Sequence, residues 1–225
     1  RRRLLSEARP ATKYGPYSEA VGGPGWTRNG ATRAGTATGP DGTAGLSAIV
    51  EDTSTGLHRT YPDAGGLATV VAAGEHWATQ IVVKAGAGSR NVQILFGSAF
   101  SALSLVVVNP ATGAVVSTSG SPGRVAVVPL SDGCWRIEIT VTSTTTGYVQ
   151  PLVYLCNGTA TTYTGDGVSS IYVGYVNSEK VANAADPPSS YVTIPAAAAV
   201  TRTADDVRLS AAALAQLTGA AGATL

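Results

Sequence analysis

The 225 residues of this chain predict an all-β sandwich of the jelly-roll type, and three observations carry that prediction. The first is composition. Charged residues are only 13% of the chain and Gly numbers 27, amid abundant Thr, Ser, Ala and Val; such a mixture suits short strands joined by tight turns better than long amphipathic helices. The second is a period of two in the apolar residues, the signature of a strand with one buried face. The third is the close recurrence of turn sequences with no helical pattern between them, which favours a sandwich over a parallel α/β fold.

Residues 1–25 carry Pro10, Pro16, Pro24 and the Gly22-Gly23 pair, which interrupt any regular pattern. They read as an extended anchoring arm, because such a segment cannot bury enough apolar area alone to offset its ordering entropy. Residues 26–209 read as the sandwich. Trp135, Ile137, Ile139 and Val141 alternate with Arg136, Glu138, Thr140 and Thr142; Val92, Ile94 and Phe96 form a similar run, as do Ile171, Val173 and Tyr175. Asn109-Pro110-Ala111-Thr112-Gly113 reads as a hairpin loop between residues 103–108 and Val115-Val116, with Gly at a position of positive φ. Asp41-Gly42, Asp132-Gly133 and Asp166-Gly167 mark further turns. Residues 210–225 read as a short helix, preceded by Asp205 and Asp206 and ended by Gly219, leading into a linker or a following domain.

Net charge is +1, too small a field to attract nucleic acid, and Arg1-Arg2-Arg3 reads as a solvated or partner-facing tail. No run reaches the ~18 apolar residues of a membrane helix, so membrane insertion is not expected. Cys134 and Cys156 are the only cysteines; they read as two separate thiols, with a disulfide between them the alternative, since one pair falls far short of a disulfide framework. His58 and His76 lack metal-ligand spacing, and Asp41, Asp132 and Asp166 are accounted for as turn formers before Gly. No local motif pairs two carboxylates as a glycosidase requires, and the chain is not expected to be an enzyme.

Several stretches together resemble a module of phage virion structural proteins: head-spike or head-fibre proteins, tail fibres and minor tail proteins. They are Tyr17-Ser18-Glu19-Ala20, Gly25-Trp26-Thr27, Gly39-Pro40-Asp41-Gly42-Thr43, Val83-Lys84-Ala85-Gly86, Asp132-Gly133-Cys134-Trp135-Arg136 and Tyr163-Thr164-Gly165-Asp166-Gly167. Ile171-Tyr172-Val173, Glu179, Ser190-Tyr191-Val192 and Val200-Thr201-Arg202-Thr203-Ala204-Asp205 complete the set. The resemblance spans about residues 17–209, with Cys134 and Gly174 where members usually carry aromatics. It implies a jelly-roll similar to carbohydrate-binding modules and galactose-binding domains, and a spike, fibre or decoration subunit on the surface of a tailed-phage or phage-derived particle. The partners it implies are other virion proteins, further copies of the chain (a trimer favoured, a fivefold vertex spike open) and host-surface polysaccharide. A carbohydrate-binding module of a secreted bacterial glycoside hydrolase is the alternative.

Sugar recognition needs aromatic faces beside hydrogen-bonding groups, and the candidates are Tyr172, Tyr148, Tyr154, Tyr175 and Trp77. Tyr172, flanked by Ile171 and Val173, should face away from the core, and Tyr148 and Tyr154 share a parity. Asp41, Asp166 and Glu179 offer the hard oxygens of a structural calcium site, though without EF-hand spacing. No other cofactor is expected.

Overall fold

The computed structural model describes residues 11–15, 19–63, 70–97, 104–191 and 198–202. In chain order the strands are β1 (Ala11–Gly15), β2 (Trp26–Asn29), β3 (Ala31–Ala37), β4 (Leu46–Glu51), β5 (Thr55–Leu57), β6 (Arg59–Pro62), β7 (Val70–Val71), β8 (His76–Ala85) and β9 (Asn91–Phe96). They continue as β10 (Leu105–Val108), β11 (Val115–Ser119), β12 (Arg124–Pro129), β13 (Cys134–Thr142), β14 (Gly147–Tyr148), β15 (Pro151–Cys156), β16 (Thr162–Thr164), β17 (Ser170–Val181) and β18 (Ala198–Arg202).

Among the described residues these strands form two main antiparallel sheets. The larger runs β12-β13-β8-β17-β1-β18, with β4 also on β17 and β3 on β4; the smaller runs β11-β10-β9-β15-β6-β2. The chain passes back and forth between the sheets, as a jelly-roll requires. The expected all-β sandwich is what the structure shows. The expected helix in 210–225 lies outside the described residues.

The core lies between the sheets and follows the strand period. Trp77, Ile81, Val83, Ile137, Ile139, Val141, Ile171 and Val173 from the larger sheet meet Val92, Ile94, Phe96, Val106, Val108, Val153 and Leu155 from the smaller. The 109–113 loop forms as expected, with Gly113 at φ 72° and its amide donating to the Asn109 carbonyl at 2.8 Å. A Cβ at Gly113 would run into the Trp135 ring, so this turn also seats a half-buried aromatic that packs on the core.

The arm of residues 1–25 needs correcting where it is described. Residues 11–15 are β1, paired with β18 from Ala11↔Arg202 to Gly15↔Ala198 and with β17 at Tyr14↔Ser178. Tyr14 packs on Trp77 with ring centroids 5.3 Å apart. Lys13 is fully buried, and its Nζ donates to Glu179 Oε1 at 2.9 Å and to the Ser189 carbonyl at 3.1 Å. The charge of Lys13 hides this strand from a hydrophobic pattern, because its partner lies far away in sequence.

β17 organises the larger sheet. One edge pairs with β8; the other is shared by β4, along Ser170–Gly174, and β1. Its ladder with β8 shifts register between Gly174 and Asn177, and Tyr175 there takes φ 53°, in the left-handed region. A bulge of this kind re-aims side chains. Strict alternation would put Tyr175 inside with Ile171 and Val173; instead Val176 joins the core and Tyr175 packs on the outer face with Leu46, Val82 and Cys134.

Candidate functional site

The outer face of the larger sheet carries a cavity of about 280 Å³. Its floor is Gln80 and Val82 of β8, with Arg136 of β13 on one side and Tyr175 of β17 on the other; Pro40, Asp41, Leu130 and Tyr191 build the walls. Each floor residue sits where the period of two sends it, since Ile81 and Ile137 point to the core. The volume falls just below the usual ~300–1,000 Å³ range of small-molecule pockets.

Tyr175 is held from several sides. Gly39 and Gly45 bracket its ring, and a Cβ at either would collide with it. Its hydroxyl donates to Asp41 Oδ1 at 2.6 Å, and its ring meets Tyr191 edge-on at 5.1 Å between centroids. A non-glycine residue in the left-handed region is disfavoured by roughly 1–2 kcal/mol, and such strain is found where surrounding structure imposes it, often at functional sites. The hydroxyl of Tyr175 is pushed up to about 12 by burial and then by the neighbouring Asp41 carboxylate. Asp41 in turn is held below the usual carboxylate range by the hydrogen bonds from Tyr175 and the Thr43 amide. At neutral pH the wall therefore presents a charged acceptor fixed by a neutral donor.

Gln80 is 2% exposed, and its Nε2 has no hydrogen-bond partner. A buried amide left in that state costs about 1–3 kcal/mol, which native structures seldom tolerate without reason. Beside it, Arg136 donates through Nε to Glu138 Oε1 at 2.9 Å, while Arg124 reaches Glu138 Oε2 at 3.0 Å. Glu138 thus holds both guanidinium groups beside the floor.

The five aromatic candidates do not form one surface. Tyr175 lines the cavity, and Tyr172 lies on the same outer face, half-buried against the Leu46, Val82 and Cys134 cluster. Tyr154 is buried on the outer face of the opposite sheet with Leu152 and Cys156, its hydroxyl accepting from Arg59 Nη1 at 2.8 Å. Tyr148 does not share a strand with Tyr154: it is exposed on β14, which pairs with β7. Trp77 is a core residue, 2% exposed, its Nε1 donating to Glu75 Oε2 at 3.2 Å, and cannot stack on a ligand.

The three candidate calcium ligands are likewise dispersed. Asp41 serves Tyr175 and Thr43. Asp166 accepts from the Val168 and Ser169 amides and the Ser169 hydroxyl. Glu179 is taken by Lys13 and Ser189. No cluster of three or more metal-ligating side chains occurs among the described residues. Cys134 and Cys156 are free and buried in clusters on opposite sheets.

Gln80, Arg136 and Tyr191 were not among the expected site residues. Arg136 reads in sequence as a solvent-facing strand position, nothing in the sequence singles out Gln80, and Tyr191 follows a Pro-Pro-Ser-Ser stretch with no strand pattern.

No protein-family profile matches this chain, and no curated protein is similar to it in sequence. Among solved structures it is similar to the CBM22-1–GH10 modules of Clostridium thermocellum endo-1,4-beta-D-xylanase 10B complexed with xylohexaose. Identity there is 14% and TM-score 0.39, over 85% of this chain and 30% of that one. It is also similar to the CBM22-1 xylan-binding domain of Paenibacillus barcinonensis Xyn10C, with 14% identity and TM-score 0.41 over 79% and 98% of the two chains. Likeness at this level leaves the site to be read from its own residues.

Proposed function

We propose that this chain is a glycan-binding sandwich whose site is the cavity on the outer face of the larger sheet. The observation that carries the proposal is the unpartnered Gln80 amide at the floor of a cavity walled by Tyr175 and Tyr191. Gln80 Nε2 is itself closed to water, so a sugar hydroxyl accepts from it once the side chain turns toward the cavity; the sugar can also donate to the Asp41 carboxylate, while an aromatic wall covers the apolar face of the ring. Gln80→Met should therefore keep or raise thermal stability, by removing a buried unsatisfied donor of similar size, yet weaken binding at least tenfold on a glycan array followed by calorimetry. Tyr191→Ala should weaken binding similarly. Tight binding by both variants would place the glycan elsewhere.

On the resemblance of its motifs, the biological setting we propose is a spike, fibre or decoration subunit of a tailed-phage particle that meets host-surface polysaccharide; the same cavity would serve a module of a secreted glycoside hydrolase. Adsorption of purified protein to host cells, abolished by Gln80→Met, supports the first setting, and enrichment on plant polysaccharide alone supports the second. Self-association belongs to this proposal. β11 ends its sheet among the described residues, carries neither charge nor proline, and exposes Val115 and Val116, so a second copy is its natural cover. Light scattering at micromolar concentration should give an oligomer, with a trimer favoured, and Val116→Lys should shift it toward monomer. A monomeric wild-type chain would count against this assembly.

A further inference from the structure

We infer, on the reading that the cavity takes a sugar, that it receives the end of a glycan chain or a short branch and not the middle of a long one. The inference rests on what crosses the sheet at the two ends of the floor. The floor follows β8, and at one end its row is Thr140, Ala78 and Glu179, side by side on β13, β8 and β17. The segment 186–189 is bonded to both flanks of that row: Thr140 Oγ1 donates to the Asp186 carbonyl at 2.8 Å, and Ser189 Oγ donates to Glu179 Oε2 at 2.9 Å. Its backbone therefore spans Ala78 as a strap.

At the other end, Cys134, Lys84 and Tyr172 form the corresponding row. Here Ser131 Oγ donates to the Pro40 carbonyl at 2.7 Å, tying the turn before β13 to the loop before β4. Lys84 is pinned on the same side by Asp132 at 2.7 Å.

The two crossings lie six positions apart on β8, from Ala78 to Lys84, roughly 20 Å at ~3.4 Å per residue, and the thickness of both crossing segments comes out of that length. What stays open is the stretch over Gln80 and Val82. With Tyr175 and Tyr191 at one flank and Leu130 at the other, the site is a pit opening away from the sheet, and a chain cannot thread along it. A terminal sugar and its neighbour can enter; the rest of the glycan must leave toward solvent.

The test uses the full chain and the sugar identified on a glycan array, supplied as an oligosaccharide series of one to six units and as a cyclic or doubly end-capped form. Calorimetry should show affinity rising from one unit to two and then staying within about twofold up to six, with the endless form at least tenfold weaker. A steady gain of more than tenfold between two and six units, or equal binding of the endless form, would overturn end recognition while leaving glycan binding intact. A blank array would overturn both.

Discussion

Replacing Lys13 with Met should destabilise the sandwich by roughly 3–5 kcal/mol, the range for removing one member of a buried ion pair. The loss comes mainly from Glu179, whose buried carboxyl group would be left with only Ser189 still bonded to it. The double variant Lys13→Met/Glu179→Leu should recover much of the loss, because the expensive species is the unpaired ion and not the missing bond. Urea unfolding of the three proteins reads this directly, through midpoints at an unchanged slope. A single-variant loss below about 1 kcal/mol would show that water reaches Glu179. Deleting residues 1–20 should be worse still, since it also removes Tyr14 from Trp77 and the strand between β17 and β18.

Glu51→Gln should cost a comparable amount, roughly 3 kcal/mol on the same grounds, and should also change the acid limb of stability. Glu51 is buried at the end of β4 and accepts from Arg90 Nε at 2.8 Å, Arg90 Nη2 at 2.7 Å, Tyr163 Oη at 2.7 Å and the Asp166 amide at 2.8 Å. Burial alone would raise its pKa, but Arg90, Tyr163 and the Asp166 amide together hold it below its ordinary 4.5. Asp166, exposed nearby, is held well below the carboxylate range by the Ser169 hydroxyl and the Ser169 and Val168 amides. A depressed carboxylate contributes stability that is fully present above its unfolded value and is lost as pH falls through the folded one. Melting temperatures should therefore hold from pH 7 to 5 and fall steeply below about 4.5, and Glu51→Gln should start lower but fall less. Parallel acid limbs for the two proteins would show that Glu51 does not govern acid unfolding.

What could be read from the sequence was whatever depends on neighbours in the chain. The alternation of Trp135, Ile137, Ile139 and Val141 places β13 correctly because each residue answers only to the face it occupies. The Asp-Gly turns are equally local: Gly42, Gly133 and Gly167 all take positive φ. Tyr172 faces away from the core for the same reason. The period fails at Tyr175, because one bulge after Gly174 reverses every side chain beyond it, and no residue there announces a bulge. It fails at Lys13 because a charge becomes a core residue only once Glu179 stands beside it. Gln80 carries no signal of its own in the chain, and only segments remote in sequence, residues 186–189 in one case and Ser131 with Pro40 in the other, turn that position into the floor of a cavity.

The antiparallel pairing of β1 with β18 has a mechanical consequence. Ala11 lies opposite Arg202, so the chain comes into the sheet and departs from it at the same end. Tension drawing those two points apart opens the pair as a zipper, one rung at a time, whereas a pull that carries both together loads none of those rungs in sequence. Tethered by both points to one support, the sandwich would hang as a pendant with its other strands out of the line of force.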